Sequence, residues 1–183
     1  LCFSMAAFAQ KSEIKTAEKA LKDGNATAAK TALDAVSGSI AGADEKLQAQ
    51  YYFTRGKAYA DLAKKGDNSA FEEAASSFQK VLEVEEASGK SKYSDETQQH
   101  MRALSADLVN SAVEDNGNKK FKEAADKLYT SYKISPQDMD DVIITLPYVS
   151  HSSQVETLTL NMSLKQTVAN ASARENLNDI KAR

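Results

Sequence analysis

Two histidines and two short acidic runs are the residues of this 183-residue sequence whose types suit metal binding or proton transfer. His100 and His151 lie far apart, neither stands in an H-x-x-x-H or H-E-x-x-H spacing, and the single cysteine, Cys2, is remote from both. A metal centre needs several ligands at close spacing. We therefore expect surface or incidental histidines and no metal site.

The acidic runs occupy residues 83–86 and 138–141. Neither has the D-x-D-x-D-G spacing of a calcium loop. The first lies at the expected end of a helix beside a loop, and the second suits a helix N-terminus, where the helix dipole favours carboxylates. The sequence also has no glycine-rich phosphate loop and no G-x-S-x-G nucleophile motif. It therefore predicts a protein that is not an enzyme and that binds no cofactor.

The bulk composition favours a helical protein. The chain is 42% hydrophobic and 27% charged, contains only two prolines and seven glycines, and is rich in Ala, Lys, Glu, Gln and Leu, which are strong helix formers. The formal net charge of −3 provides no basic excess for a nucleic acid or an anionic membrane surface. We expect an all-α fold with no nucleic-acid partner and no integral membrane span.

Apolar residues recur at helical spacing and are separated by short turn segments. Six helices are predicted, alternately long and short. One is expected over about 44–65, and another begins near Ala70, where Ser69 and Glu72 have capping-box spacing. A further helix is expected over about 94–115, and Asn118 is a candidate N-cap for the helix that carries Phe121.

The sequence F-x-E-A-A occurs at Phe71 and again at Phe121, and each copy opens a predicted helix. Aligning the copies places Ala74 on Ala124 and Phe78 on Leu128. Helix pairs that recur at a period are typical of stacked repeats. These residues resemble the tetratricopeptide repeat family over about 11–136, and the matching positions are Gly24, Ala29 and Leu33; Tyr52, Gly56, Tyr59, Phe71, Ala74 and Phe78; and Phe121, Ala124, Leu128 and Pro136.

The resemblance implies a tetratricopeptide-like α-solenoid of about three antiparallel helix pairs. Small residues such as Gly56, Ala74 and Ala124 are expected to let two helices approach closely, with aromatic residues on either side. The spacing between the matched alanines exceeds the ~34 residues usual in the family. An ordinary antiparallel bundle remains the alternative.

In the resembled family, the first helices of successive repeats line a concave groove that holds a peptide or a partner helix. The resemblance implies that the groove positions of the middle repeat are Gln50, Phe53, Lys57, Ala60 and Asp61. The Lys/Asn set with which some members clamp a terminal carboxylate is not reproduced. Phe53, beside Tyr51 and Tyr52, could equally belong to the core, and both assignments remain open.

The two ends of the sequence differ from the middle. Residues 1–9 form an uncharged apolar run that ends in Ala7-Phe8-Ala9, which is typical of a signal peptide remnant with cleavage before Gln10. After Pro136, residues 137–183 are atypical and rich in β-branched side chains. We expect either a cap, an arm or a hairpin with a last helix, or else a truncated or frameshifted fourth repeat.

These observations predict a repeat domain over 10–136 that works as a non-enzymatic scaffold for protein–protein interaction. Its partner would be a protein or peptide, and export would place it in a bacterial periplasm or cell envelope. The alternative function is a structural or self-assembling envelope protein that has no separate peptide ligand.

Overall fold

The structure, a computed structural model, describes residues 2–135, 143–144 and 162–163, with side chains from Phe8 to Ser135. In chain order its helices are α1 (Cys2–Lys22), α2 (Ala26–Asp34), a short 3-10 helix (Ile40–Gly42), α3 (Glu45–Lys64), α4 (Ala70–Ser88), α5 (Ser94–Gly117) and α6 (Phe121–Ile134). The all-α prediction is therefore confirmed over residues 2–135.

Two short strands, β1 (Ile143–Ile144) and β2 (Met162–Ser163), form an antiparallel pair. Ile143 pairs with Ser163 and Ile144 pairs with Met162. The expectations of a fourth repeat, a last helix or a changed reading frame in 137–183 otherwise lie outside the described residues.

The chain divides into two compact units, residues 1–104 and residues 105–183. In the first unit, α1 packs on α2 and α3, α2 packs on α3, and α3 packs on α4. One face of each helix is apolar at the expected spacing, and the faces of α1, α2 and α3 close over a common core. Its fully or nearly fully buried members include Ile14, Ala17, Ala29, Leu33, Val36, Tyr51 and Ala58.

Helices α3 and α4 approach each other closely at Gly56. A Cβ atom at this position would lie 2.5 Å from Cε1 and 2.6 Å from Cδ1 of Phe78, whose ring is fully buried. Only hydrogen fits there, since real carbon contacts are never so short. The prediction that Gly56 lets two helices approach closely is confirmed.

The predicted helix ends are partly confirmed. The helix predicted to begin near Ala70 begins there, and Asp44 caps α3 by accepting a hydrogen bond from the Leu47 N–H at 2.8 Å. The capping box at Ser69 is wrong: the Ser69 hydroxyl makes no cap hydrogen bond and donates to Asp67 at 2.6 Å instead. Asp67 lies in the same turn and provides a stronger, charged acceptor.

The N-cap predicted for α6 is also wrong, because Lys120 and not Asn118 stands at that position. A tight turn precedes the helix: the Lys120 N–H donates to Asp115 O at 2.8 Å, and Lys119 adopts a φ of 61°. This turn places the N-cap of α6 two residues beyond Asn118.

In the second unit, the C-terminal part of α5 packs against α6. Ala112, Ala124 and Leu128 form a buried apolar cluster. The hydroxyl groups of Ser105 and Ser131 are buried and lie 2.7 Å apart, and Lys127 Nζ donates to Ser111 Oγ at 2.7 Å and pairs with Asp115. The buried Ser105 and Ser131 hydroxyls and the Lys127–Asp115 pair therefore have partners that offset the cost of their desolvation.

Within the described part of the chain, no helix combines the length and hydrophobicity that crossing a bilayer requires.

Candidate functional site

A cleft of about 480 Å³ opens between α1 and α3 in the first unit. Two helices and one residue that precedes α5 supply its walls. The lining side chains are Glu18, Leu21 and Lys22 of α1, Phe53, Thr54, Lys57 and Asp61 of α3, and Tyr93. Phe53, Lys57 and Asp61 recur at intervals of four residues, so they share one helix face.

Aromatic rings form the floor of the cleft. The Tyr93 ring stacks on Phe53 with 4.8 Å between the ring centroids. Behind Phe53 lie Phe78, at 6.4 Å, and His100, at 5.8 Å. His100 in turn stacks on Phe78 at 5.4 Å with the two ring planes nearly parallel. Stacked rings bury large apolar areas in preferred relative orientations, so this floor presents an apolar surface.

Some of the charged side chains around the cleft have hydrogen-bond or ion-pair partners in the described part of the chain, and others do not. Gln50 Nε2 donates a 2.7 Å hydrogen bond to Glu18 Oε1 across α1 and α3. Lys57 Nζ lies 3.7 Å from Glu96 Oε1 and 5.1 Å from the centre of the Phe53 ring. Within the described residues, the Asp61 carboxylate has no hydrogen bond and no ion pair. Asp61 is therefore an acceptor available to a bound molecule.

The structure places the groove residues predicted from the sequence as follows. Phe53, Lys57 and Asp61 all line the cleft, and Gln50 braces its wall through Glu18. Ala60 is buried. Phe53 is only 7% exposed, so most of the ring belongs to the core although the residue lines the cleft. Stacking with Tyr93 explains this burial.

Tyr93 lies in the segment between α4 and α5, and the sequence analysis did not identify it. Its carbonyl accepts the first helical hydrogen bond of α5, from the Thr97 N–H at 2.8 Å, so Tyr93 is the N-cap residue. No apolar periodicity marks this position. The weak signal in the sequence is an aromatic residue directly before Ser94, where a helix is predicted to begin.

Glu85 fixes the backbone of Tyr93. Its carboxylate is buried, with 3% of the residue exposed, and it accepts hydrogen bonds from the backbone N–H of Tyr93 at 2.9 Å and of Ser94 at 2.9 Å. The Ser94 hydroxyl donates a further bond of 2.6 Å. A carboxylate of α4 thus satisfies two N–H groups at the start of α5, where the helix dipole also favours negative charge. The acidic run at 83–86 does end a helix, as predicted, but Glu85 is a structural anchor.

His100 is half-buried, whereas the sequence predicted a surface or incidental histidine. Its side chain is 33% exposed, and its Nε2 lies 3.5 Å from the same Glu96 Oε1 that faces Lys57. Burial among the rings lowers the pKa of His100, and the Lys57 cation lowers it further, while Glu96 opposes both effects. The apolar helix faces of α4 and α3 enclose a ring that periodicity alone does not place in the core.

This lowered pKa predicts that acid destabilises the fold through His100. The unfolded chain takes up the proton near the ordinary pKa of about 6.5, whereas the folded chain takes it up only at lower pH. Between these two pKa values the unfolded state binds more protons, so stability rises with pH across that window. We expect the wild-type urea midpoint to fall from pH 7.5 to pH 5.0 by more than that of His100→Gln.

The comparison uses the pH difference within each protein, so any lost stacking in His100→Gln cancels. The carboxylates that also titrate are common to both proteins. An equal or larger pH difference in His100→Gln would contradict the assignment of this effect to His100.

Among the residues whose side chains the structure describes, no cluster of three or more His, Cys, Asp or Glu residues could hold a metal ion. Comparisons of the chain with protein-family models, with curated proteins and with solved structures found no match.

Proposed function

We propose that this protein is a non-enzymatic protein–protein interaction module of tetratricopeptide-like architecture, in which the cleft between α1 and α3 receives a segment of a partner protein. The observation that supports the proposal best is the position of Phe53, Lys57 and Asp61. The resemblance assigned these three residues to one groove, and all three line a single cleft.

The pairing of the helices supports the same architecture. Helix α2 follows α1 and packs on it, and α4 follows α3 and packs on it. In a stack of helix pairs, α1 and α3 would be the first helices of successive repeats, and their neighbouring faces would form the groove. The cleft is lined by α1 and α3, while α2 and α4 contribute none of its walls.

The chemistry of the cleft suits binding of a protein segment. An aromatic floor provides apolar area, and the surrounding Lys, Asp, Glu and Thr side chains offer donors and acceptors that fix orientation. A volume of about 480 Å³ is that of a few amino-acid side chains and not of a large folded surface.

The proposal is tested by affinity capture from a bacterial envelope extract with the full chain and with Asp61→Lys. Asp61 has no ion pair or hydrogen bond within the described part of the chain, so charge reversal should leave folding intact. We expect a partner protein whose recovery falls about tenfold on Asp61→Lys, since one reversed contact is worth about 1.4 kcal/mol or more.

The matched control is Asp126→Lys, which makes the same charge change on the exposed surface of α6. This control should recover the partner as the wild type does. Recovery of the protein alone would contradict the proposal and would support a structural, self-assembling role instead.

We also propose export to the periplasm or cell envelope, on the basis of the apolar residues 1–9. Phe8 is 79% exposed, whereas Gln10 is buried and its Nε2 donates to Ser39 O at 2.9 Å. Among the residues whose side chains the structure describes, Gln10 is the first that is buried, and it is the residue at which the mature chain would start. Sequencing the N-terminus of the secreted protein tests this proposal, and a terminus far from Gln10 would contradict it.

A further inference from the structure

A second cleft of about 410 Å³ lies farther along the same face of α3. Glu45, Lys46 and Ala49 of α3 form one wall, Glu85 and Ser88 of α4 form another, and residues 90–93 complete it. We call it the lysine cleft, after Lys46, Lys90 and Lys92 in its lining. Tyr93 lines both the lysine cleft and the first cleft. The two clefts therefore meet at Tyr93.

One stripe of α3 runs through both clefts. Lys46 and Ala49 face the lysine cleft, and Phe53, Lys57 and Asp61 continue at helical spacing into the first cleft. At a rise of about 1.5 Å per residue, the stretch from Lys46 to Asp61 is about 22 Å long. An extended peptide advances about 3.3 Å per residue, so about seven residues would cover this length.

The two ends of the stripe differ in charge. Lys46, Lys90 and Lys92 surround the lysine cleft and are all exposed. Lys90 Nζ lies 4.0 Å from the exposed Glu45, a pairing that water screens strongly. The Glu85 carboxylate accepts hydrogen bonds from the N–H groups of Tyr93 and Ser94. It therefore forms no ion pair with these lysines.

At the opposite end stands Asp61, the carboxylate that is without a bond or ion pair in the described part of the chain. Glu18 already accepts from Gln50, and Lys57 lies near Glu96. Between the two ends, the stacked Phe53 and Tyr93 rings offer an apolar surface.

We propose that both clefts form one binding groove for an extended partner segment of about seven residues, with acidic side chains at the lysine cleft, an apolar side chain over Tyr93, and a basic side chain at Asp61. This inference rests on the proposed function and adds the length and charge pattern of the partner. Charge complementarity at the two ends selects such a segment against its neutral or scrambled relatives.

The test begins with a random 12-residue peptide display library, selected on the full chain. Enriched peptides should carry acidic and basic residues at opposite ends of an apolar residue. A fluorescein-labelled copy of an enriched peptide is then titrated by anisotropy against Lys46→Glu/Lys90→Glu, against Asp61→Lys and against Lys11→Glu/Lys15→Glu.

We expect affinity to fall about tenfold or more on each of the first two proteins, and to change less than about twofold on the third, whose exposed lysines lie outside both clefts. If the peptide affinity falls only on Asp61→Lys, the extended groove is wrong and the proposed function remains. If the affinity falls on neither of the first two proteins, or if no peptide is enriched, both the extended groove and the proposed function are wrong.

Discussion

Replacing Gly56 with alanine is expected to destabilise the first unit by about 2–3 kcal/mol, although alanine is the better helix former by about 1 kcal/mol. The added methyl group would lie 2.5–2.9 Å from three carbons of the Phe78 ring. That ring cannot retreat, because it is fully buried and stacked on His100. The free energy of unfolding in urea measures the loss.

Gly42→Ala is the matched control, since nothing lies within 4 Å of a Cβ built there and the residue is exposed. It should change stability by less than about 0.5 kcal/mol. In a Phe78→Leu background, which removes the ring carbons that collide, Gly56→Ala should lose most of its cost. An equal cost in both backgrounds would show that the collision with Phe78 is not the cause.

The contact between Gly56 and Phe78 shows which kind of contact the sequence could predict. Gly56 and Phe78 are both positions that match the resembled family, and a small residue facing an aromatic one indicates close helix packing. Apolar stripes also predicted the helices and most of the core, because burial of one helix face repeats at about 3.6 residues. The side-chain caps predicted at Ser69 and Asn118 were wrong, because local turns compete with such caps.

The candidate site was harder to predict than the fold. Spacing on α3 placed Lys57 and Asp61 on one face, and the resemblance assigned that face to a groove. Tyr93 completes the cleft from a connecting segment, and no periodicity describes the path of such a segment. Helix α4 ends at Gly89, which has a positive φ of 65°. The segment that follows Gly89 carries Tyr93 to its position on the Phe53 ring.

The roles of His100 and Glu85 could not be derived from residue type. Both are polar residues that usually lie on the surface. His100 is held among rings from α3 and α4, and Glu85 faces N–H groups that become available only once α5 is in place. A buried polar residue is explained by its partners, and those partners come from other elements of the chain.

Replacing Glu85 with alanine is expected to cost about 2–4 kcal/mol, because buried hydrogen bonds to a charged group are worth about 1.5–3 kcal/mol and their loss leaves N–H groups unsatisfied. The variant loses the acceptor for the N–H groups of Tyr93 and Ser94 at the start of α5. Glu85→Gln should also destabilise, since its amide presents donors to donors. Urea unfolding measures both variants.

The neighbouring exposed residue provides the control, because Glu86→Ala removes a carboxylate from the same helix end without removing any side-chain hydrogen bond that the structure shows there. Hydrogen exchange should localise the difference: amides of the first turns of α5 lose protection in Glu85→Ala and keep it in Glu86→Ala. Since Glu85 holds the backbone of Tyr93, which lines both clefts, Glu85→Ala should also weaken peptide binding. Equal protection in the two variants would show that α5 begins at Ser94 without this anchor.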